Sequence, residues 1–161
     1  MAISLPTHAK AVIIGGGVIG TSVAYHLTKL GWTDVVLLER RQLTCGTTWH
    51  AAGLIAQLRA TQNMTRLAKY SQELYYSLEE ETGVATGFKR NGSITVALTD
   101  ERMEELRRSA AMARAFGVEI NEITTSEILN LYPGLKVDDA VGGVHLLKDG
   151  QGDPVNITQA L

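Results

Sequence analysis

The sequence predicts an α/β fold that opens on a β-α-β unit and continues into an α+β region. Three observations predict it. The run Lys-Ala-Val-Ile-Ile at 10–14 is apolar and stops at three glycines, the pattern of a buried parallel strand. From Val18 the apolar residues Ile19, Val23, Leu27 and Leu30 take helical spacing and end at Gly31, a suitable left-handed residue after a helix. Asp-Val-Val-Leu-Leu-Glu at 34–39 is then β-branched first and acidic last, a second strand.

The remaining elements follow in order. Residues 40–52 are polar and small, a loop running into a turn or short helix. Residues 61–82 place Met64, Leu67, Ala68, Leu74, Tyr75 and Leu78 on one face of an amphipathic helix that stops at Gly83. Residues 86–98, broken by Gly92, alternate Ile94, Val96 and Leu98, which predicts a strand pair. Thr99-Asp100-Glu101 caps a second amphipathic helix with Met103, Leu106, Ala110 and Ala113 inward and Gly117 at its end. A strand at 118–123 leads to Thr124 and Glu127, whose capping-box spacing opens a short helix ended by Pro133-Gly134. A last strand is expected at 141–147, before the Lys148-Asp149-Gly150 turn. Asp153-Pro154 reads as an N-cap followed by proline at the first helical position. That helix has room for about two turns before Leu161, so the chain is expected to be truncated.

Composition narrows the function classes. With 161 residues, 45% hydrophobic and 20% charged, the chain can bury a core of its own. A net charge of −2 gives no ground for nucleic-acid binding, and no apolar run approaches the roughly 18 residues of a membrane span. The first ten residues have neither the pattern of a signal peptide nor that of a transit peptide. One cysteine, Cys45, excludes an internal disulfide and fits a reducing compartment; it is expected to be a small, at least half-buried residue. The expected location is cytoplasmic, or the mitochondrial matrix for a eukaryotic source. No metal site is expected.

Gly15-Gly16-Gly17-Val18-Ile19-Gly20 fits G-x-G-x-x-G, a weak pattern alone. Its setting strengthens it: a strand before, a helix after, and a second strand ending in Glu39, 24 residues beyond Gly15. This is a Rossmann-like dinucleotide-binding unit. Gly15 permits the tight turn, Gly17 admits a pyrophosphate close to the backbone, and Gly20 lets helix and strand pack. Amides near Val18 and Ile19, at the positive end of the helix dipole, suit a phosphate. Glu39 can accept hydrogen bonds from ribose hydroxyls and disfavours a 2′-phosphate, although Arg40 and Arg41 could offset that. The alternative is a strand-to-helix turn without a nucleotide. The motif does not say which dinucleotide.

The loop after Glu39 is more specific. Gly46-Thr47-Thr48-Trp49-His50-Ala51-Ala52-Gly53-Leu54 resembles the flavin-attachment segment of the sarcosine and dimethylglycine dehydrogenase family, amine-oxidising flavoproteins related to D-amino-acid oxidase. Leu78-Glu79-Glu80-Glu81-Thr82-Gly83, Asn91-Gly92-Ser93-Ile94, Leu131-Tyr132-Pro133 and Asp149 through Pro154 extend the resemblance over nearly the whole chain. It implies a D-amino-acid-oxidase-type FAD-binding domain interleaved with an α+β substrate domain. The FAD domain would take residues 1–83 and return at 148–161, with a first substrate-domain segment at 84–147. It implies FAD as cofactor, covalently bound through His50 to the 8α-methyl group. The cradle would be Gly15, Gly17, Val18, Ile19, Gly20, Glu39, Arg40, Gly46, Thr47, Thr48, Ala51, Gly53 and Leu54. Trp49 is expected to pack, and His26 and His145 to be structural.

The implied reaction is oxidation of an N-methylated amine such as sarcosine or dimethylglycine. The one-carbon unit would be released or passed to tetrahydrofolate in the full-length protein, and oxygen, an electron-transferring flavoprotein or a quinone would accept the electrons. Substrate-binding and catalytic residues are expected outside these 161 residues. Two alternatives remain. One is a non-catalytic relative similar to the regulatory subunit of pyruvate dehydrogenase phosphatase, which lacks a counterpart of His50. The other is an NAD-dependent dehydrogenase, which the flavin loop disfavours.

Overall fold

The computed structural model describes residues 6–161. By compactness the chain divides into two units. The first takes in the chain through Gly53, Tyr75–Gly87 and Gly152–Leu161; the second takes in Leu54–Leu74 and Phe88–Gln151.

In the first unit, β1 (Ala11–Ile14) and β2 (Val35–Leu38) pair in parallel, with Ala11 opposite Val35 and Ile14 opposite Leu38. Parallel neighbours need a crossover, and α1 (Val18–Lys29) supplies it. Its C-terminus is a Schellman motif: Gly31 takes φ +84°, its amide donates to the Thr28 carbonyl, and the Trp32 amide donates to the Leu27 carbonyl. The Tyr25 hydroxyl donates to Glu81 Oε2 at 2.8 Å, and Lys29 pairs with the same carboxylate. A 3-10 turn at Thr48–His50 and the C-terminal α5 (Pro154–Ala160) complete the unit. The helix α5 packs against α1 and the turn, with Ile157, Thr158 and Ala160 buried. Its N-cap is as expected: Asp153 accepts from the amides of Val155 and Asn156.

The expected burial of β1 is corrected. Val12 is 55% and Ile14 87% exposed, whereas Ile13 faces α1 at Gly20. An apolar parallel strand is buried only when both faces are covered. Within this unit α1 covers one.

The second unit is built on an antiparallel sheet of β4 (Ser93–Ala97), β5 (Ile120–Ile123) and β6 (Gly142–Leu146), with β6 central. Helix α3 (Asp100–Ala115) lies on one face. Met103, Leu106, Ala110 and Ala113 are all buried there, with Ala97, Val118, Ile120, Val144 and Leu146. Its Thr99 cap accepts from the Arg102 amide, and Gly117 closes a second Schellman motif. On the other face α4 (Thr125–Leu131) buries Ile128 with Ile123 and Val137, and its capping box of Thr124 and Glu127 forms in full. Ile128 sits 3.3 Å from where a side chain on Gly143 would begin. The helix can come this close because β6 carries glycine there.

Three expectations of the second unit change. The strand pair at 86–98 is one strand, β4, plus an isolated bridge from Lys89 to Gln151. Gly92 at φ +76° turns the chain, and its amide goes to the Asp149 carbonyl. Two short strands, β3 (Leu54–Ile55) and β7 (Gly150–Gln151), pair antiparallel where none was expected.

The inner face of α2 (Gln62–Thr82) also differs. Met64 and Leu67 are 52% and 58% exposed, while Thr65 and Gln72 are fully buried. Burial of these polar groups is tolerable because each is bonded. The Thr65 hydroxyl accepts from the Arg59 amide and donates to the Arg59 carbonyl. Gln72 accepts from Gln57 Nε2 and donates to the Lys148 carbonyl. Asp149, also buried, accepts from the Gln57 amide at 2.9 Å and the Ser93 hydroxyl at 2.7 Å.

Two substitutions test this packing by urea denaturation. Ile128→Ala is expected to cost about 2–5 kcal/mol, as a buried side chain over a glycine leaves a cavity that cannot close. Gln72→Ala is expected to cost about 1–3 kcal/mol, because it strands the Gln57 amide and the Lys148 carbonyl.

Candidate functional site

The turn between β1 and α1 is made almost entirely of backbone. Gly15 takes φ +111°, and no other atom lies within 4 Å of the point where its side chain would start. Its amide donates to the Leu38 carbonyl at 2.8 Å, which extends the strand pairing into the turn. At Gly20 a Cβ would overlap the Gly15 carbonyl oxygen, so only glycine lets α1 begin here. Thr21 is buried one residue on, and its hydroxyl donates to the carbonyls of Gly17 and Val18.

Glu39 closes the turn from the end of β2. Its Oε2 accepts the Gly16 amide at 2.8 Å, and its Oε1 accepts the Arg41 amide at 3.0 Å with the Cys45 thiol 3.8 Å away. The Gly16 amide first, and the Arg41 amide second, hold the Glu39 carboxyl below the usual glutamate range. Oε1 takes both the Arg41 amide and the Cys45 thiol, whereas Oε2, turned to the Gly16 amide, has a lone pair with which the carboxylate can brace the turn and still accept from a sugar hydroxyl.

The loop at 40–50 folds back onto this turn. The Thr44 amide donates to the Gly16 carbonyl at 2.9 Å; Thr44 is buried and has φ +72°, rare for a residue other than glycine. Thr48 Oγ1 accepts the Val18 amide at 3.0 Å and lies 2.8 Å from where a Cβ on Gly17 would sit. Thr48 opens the 3-10 turn, closed by the amides of His50 and Ala51 on the carbonyls of Thr47 and Thr48. The His50 ring is exposed and lies against Trp49, with centroids 3.9 Å apart at 34°. Among the described residues no group hydrogen-bonds the His50 imidazole. Gly53, at φ +74°, fits against Gly152: a Cβ would overlap the Gly152 carbonyl, and the Gly152 amide donates to the Gly53 carbonyl.

The structure thus gathers Gly15, Gly17, Val18, Ile19, Gly20, Glu39 and Thr48 around one turn, with His50 two residues beyond. Gly46, Thr47 and Ala51 are exposed and make no hydrogen bond to that turn among the described residues; Arg40 is exposed and reaches it through its backbone amide, which helps hold the Glu39 carboxyl down; Leu54 is exposed and pairs with Gln151. Gly16, Thr21 and Thr44 were missed. Gly16 falls on a free position of the motif, yet a side chain there would strike Leu43 and Glu39. The expected burial of Cys45 is corrected: it is exposed, since the loop turns its thiol outward beside Glu39. His26 is structural, its Nδ1 2.6 Å from the Ser22 carbonyl one turn back. Trp49 packs on His50 while staying 55% exposed.

A turn without side chains, at the N-terminus of a twelve-residue helix whose first turn carries no acid, fits a pyrophosphate. The comparison with known families agrees. A family model described as FAD dependent oxidoreductase (DAO) matches residues 10–161. The chain belongs to that family.

Among curated proteins, the chain is 40% identical over 159 residues to the mitochondrial pyruvate dehydrogenase phosphatase regulatory subunit of Mus musculus. That alignment takes in 99% of the chain and 18% of the relative. It is 41% identical over 158 residues to mitochondrial sarcosine dehydrogenase of Homo sapiens, covering 98% and 17%. To mitochondrial dimethylglycine dehydrogenase of Rattus norvegicus it is 43% identical over 153 residues, covering 95% and 18%. The chain spans less than a fifth of the length of these relatives. In structure it resembles L-proline dehydrogenase from P. horikoshii with a TM-score of 0.89 at 30% identity, over 97% of this chain and 41% of that one. The expected fold class, the DAO-type FAD-binding α/β fold, and the kinship with sarcosine and dimethylglycine dehydrogenases both hold. Among the described residues no helix is long and apolar enough to cross a membrane, and no cluster of His, Cys, Asp and Glu could hold a metal ion.

Two outcomes test the turn. Gly20→Ala is expected to destabilise the protein by about 1–3 kcal/mol, since the new methyl meets backbone that cannot yield. Glu39→Gln tests the carboxylate by its pH dependence. A group whose pKa is lowered on folding stabilises fully above its ordinary value, here 4.5, and loses that contribution as pH falls through the lower folded value. The melting temperature of Glu39→Gln should therefore lie below wild type at neutral pH, and the gap should close as the pH is taken through 4.5 and below.

Proposed function

We propose that the protein is an FAD-dependent oxidoreductase of N-methylated amines of the sarcosine or dimethylglycine kind, with its flavin held covalently by His50. The observation that carries this reading is the placement of His50. Its imidazole is exposed, free of hydrogen bonds among the described residues, and set on a turn that Thr48 fastens to the glycine cradle. The relatives at 41% and 43% identity are sarcosine and dimethylglycine dehydrogenases.

In this reading, residues 1–83 and 148–161 belong to the FAD-binding domain, and 84–147 to a first segment of the substrate domain. The amides after Gly15 receive the pyrophosphate, and Glu39 receives ribose hydroxyls. Arg40, Gly46, Thr47, Ala51, Gly53 and Leu54 line the loop along the rest of the cofactor. When bound, the flavin supplies an acceptor for the hydride of the N-methyl carbon. The chain's own part is placement: Glu39 and the first turn of α1 fix one end of the cofactor, and His50 tethers the other. The substrate's one-carbon unit is then released by hydrolysis or passed to tetrahydrofolate elsewhere in the full-length protein.

A second reading has one observation in its favour, the 40% identity to the phosphatase regulatory subunit. A denaturing gel separates the two. Flavin fluorescence should travel with the denatured protein purified as its gene encodes it, and His50→Ala should abolish that signal. Bound but freely extractable FAD would refute the tether, and absence of flavin would favour the regulatory reading.

A further inference from the structure

Thr48 joins the two halves of the site. Its hydroxyl takes the Val18 amide at 3.0 Å, in the first turn of α1, where no intrahelical acceptor exists. Gly17 leaves no room for a side chain between that helix end and the hydroxyl. The same residue is the first of the 3-10 turn, and its carbonyl takes the Ala51 amide, so His50 is enclosed between two backbone bonds of one short turn. Rotation or withdrawal of Thr48 therefore carries His50 with it.

We propose that Thr48 is a positioning residue for flavin attachment: its hydroxyl docks the His50 turn on the glycine cradle, so that seating the pyrophosphate and aiming the imidazole depend on the same backbone. The inference rests on the attachment reading above. Attachment replaces one C–H of the 8α-methyl and one N–H of the imidazole with a single N–C bond. The two protons and two electrons released go to dioxygen, which becomes hydrogen peroxide. Such a bond forms only when carbon and nitrogen are held near contact. Misplacement by about 1 Å can cost a factor on the order of 100. A methyl in place of the hydroxyl keeps the volume of Thr48 and removes the anchor.

The test uses Thr48→Val and Thr48→Ser, each made in the protein as its gene encodes it, prepared free of flavin and incubated aerobically with FAD. Non-covalent binding is read from quenching of FAD fluorescence, and attachment from flavin that stays with acid-precipitated protein over time. At saturating FAD, Thr48→Val should attach about tenfold more slowly or worse, with its melting temperature near that of wild type. Thr48→Ser, which restores the hydroxyl, should recover most of the rate. Attachment by Thr48→Val at the wild-type rate would overturn the proposal. So would failure of Thr48→Ser to recover, which would make the side chain's packing the cause. Wild-type protein that binds FAD without attaching it would overturn the His50 reading itself, and this inference with it.

Discussion

The fold around the site depends on one close approach, that of Gly20 to the carbonyl of Gly15. With a Cβ at position 20, the first turn of α1 could not sit on the end of β1, and the helix N-terminus would no longer open onto the strand ends. Everything else at the site attaches to that arrangement. Gly16 turns its amide to Glu39, Thr44 turns its own amide to Gly16, and Thr48 accepts from Val18. The bonds made by Thr44 and Thr48 are individually modest, about 1 kcal/mol each. Together they convert a polar loop into a wall.

The second unit holds its own loop by a different device. The chain at 54–59 packs Leu58 against the core under α3, and its backbone is fixed by polar groups: Gln57 between Gln72 and Asp149, and Arg59 on Thr65. A buried network of this kind specifies a single register, because any slip would leave a donor or acceptor unpaired in a low-dielectric interior. It also explains why apolar Met64 and Leu67 are not on the buried face of α2. The face is chosen by where the polar partners are, and Leu78, the apolar member that is fully buried, lies farther along the helix.

What could be read in the sequence was whatever local chemistry decides. Glycine after a helix at 31 and 117, the Thr124 capping box, the Asp153-Pro154 start and the four inward residues of α3 all formed as expected, since each depends on neighbours within about one turn. The glycine turn was legible because the strand before it, the helix after it and Glu39 at the end of the second strand follow one another in a single continuous stretch of sequence. The misses were set by distant partners. β3 and β7 are two residues each and have no periodicity to read. The crowding around Gly16 comes from the side chains of Leu43 and Glu39, more than twenty residues on. Cys45 is exposed because of how the loop crosses Glu39, which residue type does not reveal. His50 is a special case: spacing alone would have left it an ordinary loop histidine, and kinship singled it out.

The division of donors in the first turn of α1 gives the site its logic. Four amides at a helix start lack intrahelical acceptors, and a dinucleotide cradle is usually pictured as offering them all to phosphate. Here one of them, Val18, is taken by Thr48, while the amides of Gly17, Ile19 and Gly20 have no protein acceptor among the described residues. Giving one donor to the loop weakens the positive end of the helix slightly, yet it ties that end to the segment carrying His50. A cradle that used every amide for phosphate would hold the nucleotide and leave the loop to its own entropy, at roughly 1–2 kcal/mol per ordered residue. The arrangement seen trades a little affinity for a fixed loop. Under the proposed attachment through His50, that exchange suits a site in which holding the cofactor and bonding to it are separate tasks.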